Sequence, residues 1–215
     1  MARKPADQSV HREDILRAAA EVLQRNGYEA ATMKDIAAAV NLTAASLYHH
    51  FRNKDALLLA VLELGLDAVI EQVEPTACAD LPADEKLRQM IRVHVVGLTE
   101  NTAVGAAMVF EIRALMQVKA PPKTASAEDR AAFAGFIERR DAFFAGRDQF
   151  EELFRTVVRE GIARGTFRPL DVPIFVKALL GAHNWVGVWY KPDGRLSGAE
   201  IAERIADTML KGVLV

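Results

Sequence analysis

The side chains of this chain best suited to chemistry lie in one run, Thr32 to Lys54, TMKDIAAAVNLTAASLYHHFRNK. Thr43, Ala44, Ala45 and Ser46 are small or hydroxyl-bearing, Tyr48, His49 and His50 follow, and Thr32, Lys34 and Lys54 flank them. The set offers hydroxyl, ring and ammonium donors without a nucleophile–base pair. Such groups suit a polyanion: cations and hydroxyls hold phosphates, and small residues let a backbone approach base edges. A catalytic reading has less support, since the chain contains no HExxH, CxxC, Walker or dinucleotide-binding motif. Adjacent residues on a helix point about 100° apart, so His49 and His50 do not close on one ion without further ligands. His11, His94 and His183 are scattered. Neither a metal site nor a cofactor is expected.

These residues need elements to hold them. Thr32 can cap a helix with Asp35 completing a capping-box-like pair, and Ile36, Ala37 and Val40 give that helix one apolar face. Asn41 falls where the chain must turn sharply, and Asn tolerates the left-handed region. Thr43 can cap a second helix whose Leu47 and Phe51 point inward, and Asn53 a third that opens at Lys54. Two short helices, a tight turn and small residues at the start of the second make a helix-turn-helix. A preceding helix from about His11 to Asn26 carries the stripe Ile15, Leu16, Ala19, Val22 and Leu23, with Gly27 as its stop and Tyr28 as a core aromatic. Base reading is expected at Thr43, Ala44, Ala45 and Ser46, and phosphate contact at Thr32, Lys34 and Lys54, helped by an Arg3–Lys4 arm, with Tyr48, His49 and His50 one turn on.

The run Thr32-x-x-x-Ile36-Ala37, then Leu42-Thr43, Leu47-Tyr48-His49-His50-Phe51 and Lys54-x-x-Leu57, resembles the signature of the TetR family of bacterial transcriptional regulators. The likeness spans the first part of the chain and depends on many positions at fixed spacing. It implies that Tyr48 meets the DNA backbone with His49 or His50 close by. Asn41 and Ala45 stand where the family commonly has Gly. The first departure is mild; the second adds a methyl group where backbone nears DNA.

The whole chain has 215 residues, 51% hydrophobic and 26% charged, which suits a folded globular protein. Its single cysteine, Cys78, excludes an internal disulfide framework and fits a reducing cytoplasm. No signal-peptide pattern or membrane-length apolar run occurs, so a cytoplasmic protein without a membrane partner is expected. Net charge is −2, and residues 1–55 hold eight Lys/Arg against seven Asp/Glu. This balance permits DNA binding and leaves the case to placement.

The helix opening at Lys54 should run to about Glu74 and end at Pro75; its Leu57, Leu58, Val61, Leu62, Leu66, Val69 and Ile70 cover more than one face, so it should be shared between a head and a body. The linker Pro75–Pro82 carries Cys78, read as buried or half-buried. Helical periodicity resumes from Asp84 through Met116, and KAPPKTAS, 119–126, reads as a loop. Six phenylalanines between Phe133 and Phe154 either wall a cavity or pack as core; composition favours packing, whereas the resemblance implies an apolar small-molecule site. Candidate pocket residues are His94, Phe110, Arg113, Phe136, Phe143, Phe154, His183, Trp185 and Trp189.

A further helix is expected over Glu151–Arg164, closed by Gly165. Asp171 then caps one reaching Trp189, thinned by Gly181 and Gly187 for close helix approach, and Ser197 with Glu200 caps the last. The apolar surface of these last two helices suggests a homodimer seam at Leu179, Ala182, Trp185, Val186, Ile201, Ile205 and Met209, or else simply completes a monomer core.

The sequence thus predicts an all-α protein with an N-terminal three-helix head, residues 1–55, and a larger helical effector and dimerisation body, residues 56–215. The stretch WVGVWYKPDGRLSGAEIAE is also similar to TetR-like repressors of fatty-acid, sterol or aromatic-acid catabolism, several of which respond to acyl-CoA thioesters. Its implied partners are a palindromic double-stranded DNA operator, a small hydrophobic effector such as an acyl-CoA, and a second copy of the chain. The rival readings are an all-α enzyme without a visible catalytic motif and a DNA-binding protein without an effector.

Overall fold

Side-chain caps decide where most helices of this chain begin. A computed structural model describes residues 11–215, which leaves the Arg3–Lys4 arm outside the described residues. The helices are α1 (Arg12–Ala30), α2 (Met33–Ala39), α3 (Ala44–His50), α4 (Lys54–Ala77), α5 (Ala83–Glu100), α6 (Thr102–Phe110), α7 (Ile112–Met116), α8 (Ala127–Ala163), α9 (Val172–Trp189) and α10 (Gly198–Lys211). Thr32, Thr43, Asn53, Ser126, Asp171 and Ser197 each accept a backbone amide of the turn they open, meeting one of the donors every helix start leaves free. Gly27 (φ 71°) kinks the end of α1 and Asn41 (φ 57°) turns the chain between α2 and α3. The one extended pairing among the described residues is an isolated bridge, Phe167 to Leu214, that ties down the C-terminus.

The head core is made by Ile15, Leu16, Ala19 and Leu23 of α1 closing on Ile36 of α2, Leu47 of α3 and Phe51, all buried. Residues Leu57 to Leu62 of α4 are buried without a break, because α4 packs on α1 behind it and on α5, α6 and α8 ahead. Helix α5 lies at the centre of the body, against α4, α8, α9 and α10. The α5–α10 contact is edged by Arg88–Asp207 at 2.7 Å and Arg92–Glu203 at 3.0 Å.

Several expectations are corrected. Pro75 does not end α4: it falls inside the last turn at the loss of one i−4 hydrogen bond, and the helix closes through the Cys78 amide on Glu74 O at 3.0 Å. Cys78 is exposed. The break expected before Glu151 is absent. Gly135 and Gly146 keep helical φ and no proline intervenes, so the phenylalanine-rich segment and the next form one helix, α8. Gly187 does sit against α6, where an added Cβ would lie 3.5 Å from Gly105 Cα, but Gly181 faces open space. Leu179, Val186 and Ile201 point into the monomer core, the first two completely, so they cannot form a seam with another copy. Ala182 is half-buried on α9, and Ile205 and Met209 are half-buried on α10, which packs against α5. No single helix among the described residues is long and apolar enough to cross a membrane.

Candidate functional site

Helix α3 is held from below and left open above. Leu47 is fully buried, while Thr43, Ala45, Tyr48, His49 and His50 are exposed and Ala44 and Ser46 half-buried. The Ser46 amide donates to Thr43 Oγ1 at 3.0 Å, and the two hydroxyls share a further bond at 2.9 Å, which fixes the first turn of α3. The approach to that turn is equally fixed: the Leu42 amide donates to Ala37 O at 2.8 Å around the left-handed Asn41. At the start of α2, the Thr32 amide and hydroxyl both donate to Asp35 Oδ2, at 3.0 and 2.6 Å, and this bonding holds the Asp35 carboxyl below the usual carboxylate range. The Thr32 proton is therefore already engaged, whereas Lys34 next to it is exposed. A rigid two-turn helix with small and hydroxyl residues at its free N-terminal end can enter a major groove.

Behind the head, a cavity of about 810 Å³ opens between α1, α4, α5, α6, α8 and α9. This lies within the range of small-molecule sites. Leu66, Val69, Leu98, Val104, Met108, Phe144 and Phe150 supply apolar wall; Arg147, Lys177, Gln72 and Asn184 supply polar groups. Arg17 and Glu21 of α1 also line it, so the void touches the helix on which the reading head is built. Burial pulls the Arg147 guanidinium below its ordinary value, partly offset by Asp148 and Glu151. Glu151 itself is engaged by Arg155 and by Lys177 at 3.2 Å. On one wall His94 meets His183, Nδ1 to Nδ1, at 3.2 Å, with Phe150 edge-on to His94 at 5.1 Å. Burial pushes His94 down to about 4 and His183 well below its usual value.

Residues 15–61 match the pattern described as bacterial regulatory proteins, tetR family, and residues 136–213 the tetracyclin repressor-like C-terminal domain. The TetR family transcriptional regulator PfmR from Thermus thermophilus is 31% identical to this chain at a TM-score of 0.74, covering 92% of this chain and 97% of that one. This chain belongs to the TetR family. It is a helix-turn-helix transcriptional regulator. AibR, solved in complex with isovaleryl coenzyme A and operator DNA, is 28% identical at a TM-score of 0.69 over 94% of this chain and 97% of its own. The HTH-type transcriptional repressor KstR2 of Mycolicibacterium smegmatis is 28% identical over 97% of this chain and 93% of its length.

Within this TetR-family regulator the expected contacts separate by what the fold does with them. Lys54 Nζ donates to the carbonyls of Tyr28, Glu29 and Ala31 at 2.6, 3.2 and 3.0 Å and lies 4.2 Å from the centre of the Tyr28 ring. Its three donors thus cap the end of α1, which corrects its assignment to a phosphate. Of the candidate pocket residues, His94 lines the cavity and His183 backs it. Phe143 and Phe154 are core, and Phe136 is half-buried off the wall. Phe110, Arg113, Trp185 and Trp189 are exposed and off the wall, which on α9 is made by Lys177, Leu180 and Asn184. Phe144 and Phe150, weighed in the sequence as wall or core, do line the cavity, as does Arg147, which went unassigned there. Phe144, Arg147 and Phe150 fall at i, i+3 and i+6 along one side of α8, and which side faces a cavity is set by how α8 packs on α4 and α5.

Head and body are also wired together by residues without a motif. The Tyr28 amide donates to Glu111 Oε2 at 3.1 Å, at the break between α6 and α7. Within the head, the Tyr28 hydroxyl donates to Asp55 at the start of α4, and burial with that contact pushes the phenol well up. Arg52, just after α3, pairs with Glu128 at 3.4 Å and with Asp129 at the start of α8.

Proposed function

We propose that this regulator is a dimeric repressor that leaves a palindromic operator when a small hydrophobic effector, of the acyl-CoA class, fills the cavity. In this reading residues 1–55 form the DNA-reading head, with Thr43 to Ser46 facing bases and Lys34, Tyr48, His49 and His50 facing the backbone. Residues 56–215 form the effector and dimerisation body. The observation that carries the proposal is the composition of the cavity wall, which joins α1 of the head to α4, α5, α6, α8 and α9 of the body. An occupant in contact with both has a different affinity for the DNA-fitting and DNA-releasing arrangements, and that difference is what shifts the equilibrium. Of the cations on the wall, Arg17 and Lys177 pair with Glu13 and Glu151, which leaves Arg147 to meet the anionic part of an acyl-CoA, beside the acids Glu21, Glu100 and Asp148. AibR, bound to an acyl-CoA and to operator DNA, supplies a relative in which these two partners meet on one protein.

The test is a thermal-shift series with acyl-CoAs of increasing chain length, matched free acids and coenzyme A alone. A specific acyl-CoA at a hundred times its Kd should stabilise the fold by about 2.7 kcal/mol and, in fluorescence anisotropy, should release labelled operator DNA. If no acyl-CoA shifts the transition and operator affinity stays the same in their presence, the effector assignment fails.

A further inference from the structure

One wall of the cavity is backed by a polar pair that the proposed function does not use, His94 on the wall and His183 behind it. His94 of α5 and His183 of α9 are 4% and 0% exposed, lie among Phe150 and Phe154, and share a nitrogen-to-nitrogen contact of 3.2 Å. A hydrogen bond between two imidazole Nδ1 atoms needs one proton between them. If both rings carried their hydrogen on Nε2, two lone pairs would face each other at that distance; if both carried it on Nδ1, two N–H groups would collide. The two rings are therefore opposite tautomers.

Which ring is which follows from the outer nitrogens. His183 Nε2 is sealed in protein with no hydrogen-bond partner. A buried bare acceptor is tolerated better than a buried orphan N–H, so His183 holds its proton on Nδ1 and donates it inward. That makes His94 Nδ1 the acceptor and leaves the His94 proton on Nε2. His94 is the member of the pair that lines the cavity.

We infer that His94 Nε2–H is a hydrogen-bond donor presented to the cavity occupant, fixed in that tautomer by His183, and that it selects ligands carrying a neutral acceptor such as a ketone or thioester carbonyl among otherwise apolar surface. The aromatic surroundings support a neutral acceptor. Phe150 stands edge-on to the His94 ring, and Phe154 packs against both imidazoles. The wall also carries charged groups, Arg17, Arg147 and Lys177 with Glu21, Glu100, Asp148 and Glu151; Lys177 is paired with Glu151, and Arg147 of α8 can take a separate, anionic part of the same ligand. A hydrocarbon of the same shape would leave the donor unpaired. A site built around a buried donor rejects an analogue that lacks the acceptor. His183 is a positioning residue here, acting through the tautomer of His94.

This inference rests on the cavity being the effector site, and its test separates the two. Nitrogen-15 NMR of the histidine side chains in the full-length free protein should show His183 protonated at Nδ1 and His94 at Nε2; the reverse assignment overturns the donor. Binding is then measured for two pairs of equal shape, benzophenone against 1,1-diphenylethylene and acetophenone against α-methylstyrene, which differ only in C=O against C=CH2. The ketone should bind roughly five-fold more tightly than its hydrocarbon partner. His94→Phe should abolish that preference without abolishing hydrocarbon binding, and His94→Gln, which retains a donor, should keep it. His183→Phe should leave the His94 ring as a mixture of tautomers in the spectrum and reduce the preference. Equal affinity within both pairs overturns the selectivity role while leaving the cavity an effector site. Failure of all four compounds to bind while an acyl-CoA still shifts the thermal transition overturns the selectivity role alone; failure of the acyl-CoAs as well overturns both.

Discussion

Tyr48 and Lys54 show how two residues expected to share a task are divided by the fold. Tyr48 stands 52% exposed on the open side of α3, while Lys54 has its three protons on three carbonyls at the end of α1. Tyr48→Ala should weaken binding to all DNA sequences alike, and Lys34→Ala should also lower the slope of log affinity against log salt by about 1, as loss of one phosphate contact requires. Both are read from anisotropy titrations over a salt series, and unchanged operator affinity would remove these residues from the interface. Lys54→Met should instead cost about 1–3 kcal/mol of stability in thermal melts, with the salt slope intact, because it strips a partner from the carbonyls of half-buried Tyr28 and buried Ala31. The histidine pair gives a pH signature. Burial depresses the folded-state pKa, so between 6.5 and about 4 the unfolded chain binds more protons, and stability is full above 6.5 and lost as pH falls. From pH 7 to pH 5 the His94 contribution is on the order of 2 kcal/mol, and the double variant His94→Phe, His183→Phe should flatten that slope. The bonded carboxyls Asp35, Asp129, Glu152, Glu200 and Asp207 are depressed too, but from ordinary values of 3.8 to 4.5, so their losses come in a more acid window.

Helices were legible where short-range chemistry fixes them, and illegible where packing chooses between faces. The caps at Thr32, Thr43, Asn53, Asp171 and Ser197 and the left-handed Asn41 depend on residues within a turn of one another, so spacing alone predicts them. The wall of the cavity does not. Val104 and Gly65 meet only because α6 crosses α4, and His94 and His183 are neighbours only because α5 and α9 pack together. That crossing is tight: a Cβ added at Gly65 would lie 2.4 Å from Val104 Cγ1, on a β-branched side chain with one preferred rotamer. Gly65→Ala should therefore cost about 1–3 kcal/mol by overpacking. Val104→Ala in the same chain should recover part of it, giving a coupling energy in a double-mutant cycle of thermal melts. Additive losses would mean that α4 and α6 are held apart by something other than this contact.

At the scale of the whole molecule the decisive feature is a face that the monomer leaves bare. Along α9, Ile174 and Trp185 are 64% and 52% exposed and Trp189 is 48%, with Ala178 between them and Phe110 of α6 in edge contact with Trp185 at 6.2 Å. Large apolar side chains collected on one side of one helix mark a surface that associates. Two-fold pairing there would set two α3 helices on one DNA duplex, in successive major grooves roughly 34–36 Å apart or at a multiple of that spacing. Trp185→Glu should break the pair, since a carboxylate in the centre of an apolar seam loses its water without gaining a partner. Light scattering at low micromolar concentration should then report a single-chain mass with helical circular dichroism unchanged, and affinity for the two-half-site operator should fall toward that for one half-site. Ile201→Glu distinguishes this from general damage: Ile201 packs inside the monomer, so its substitution should lower the melting temperature instead of yielding a folded single chain. A dimer mass retained by Trp185→Glu would move the seam off α9 and, with it, the geometry that pairs the two reading heads.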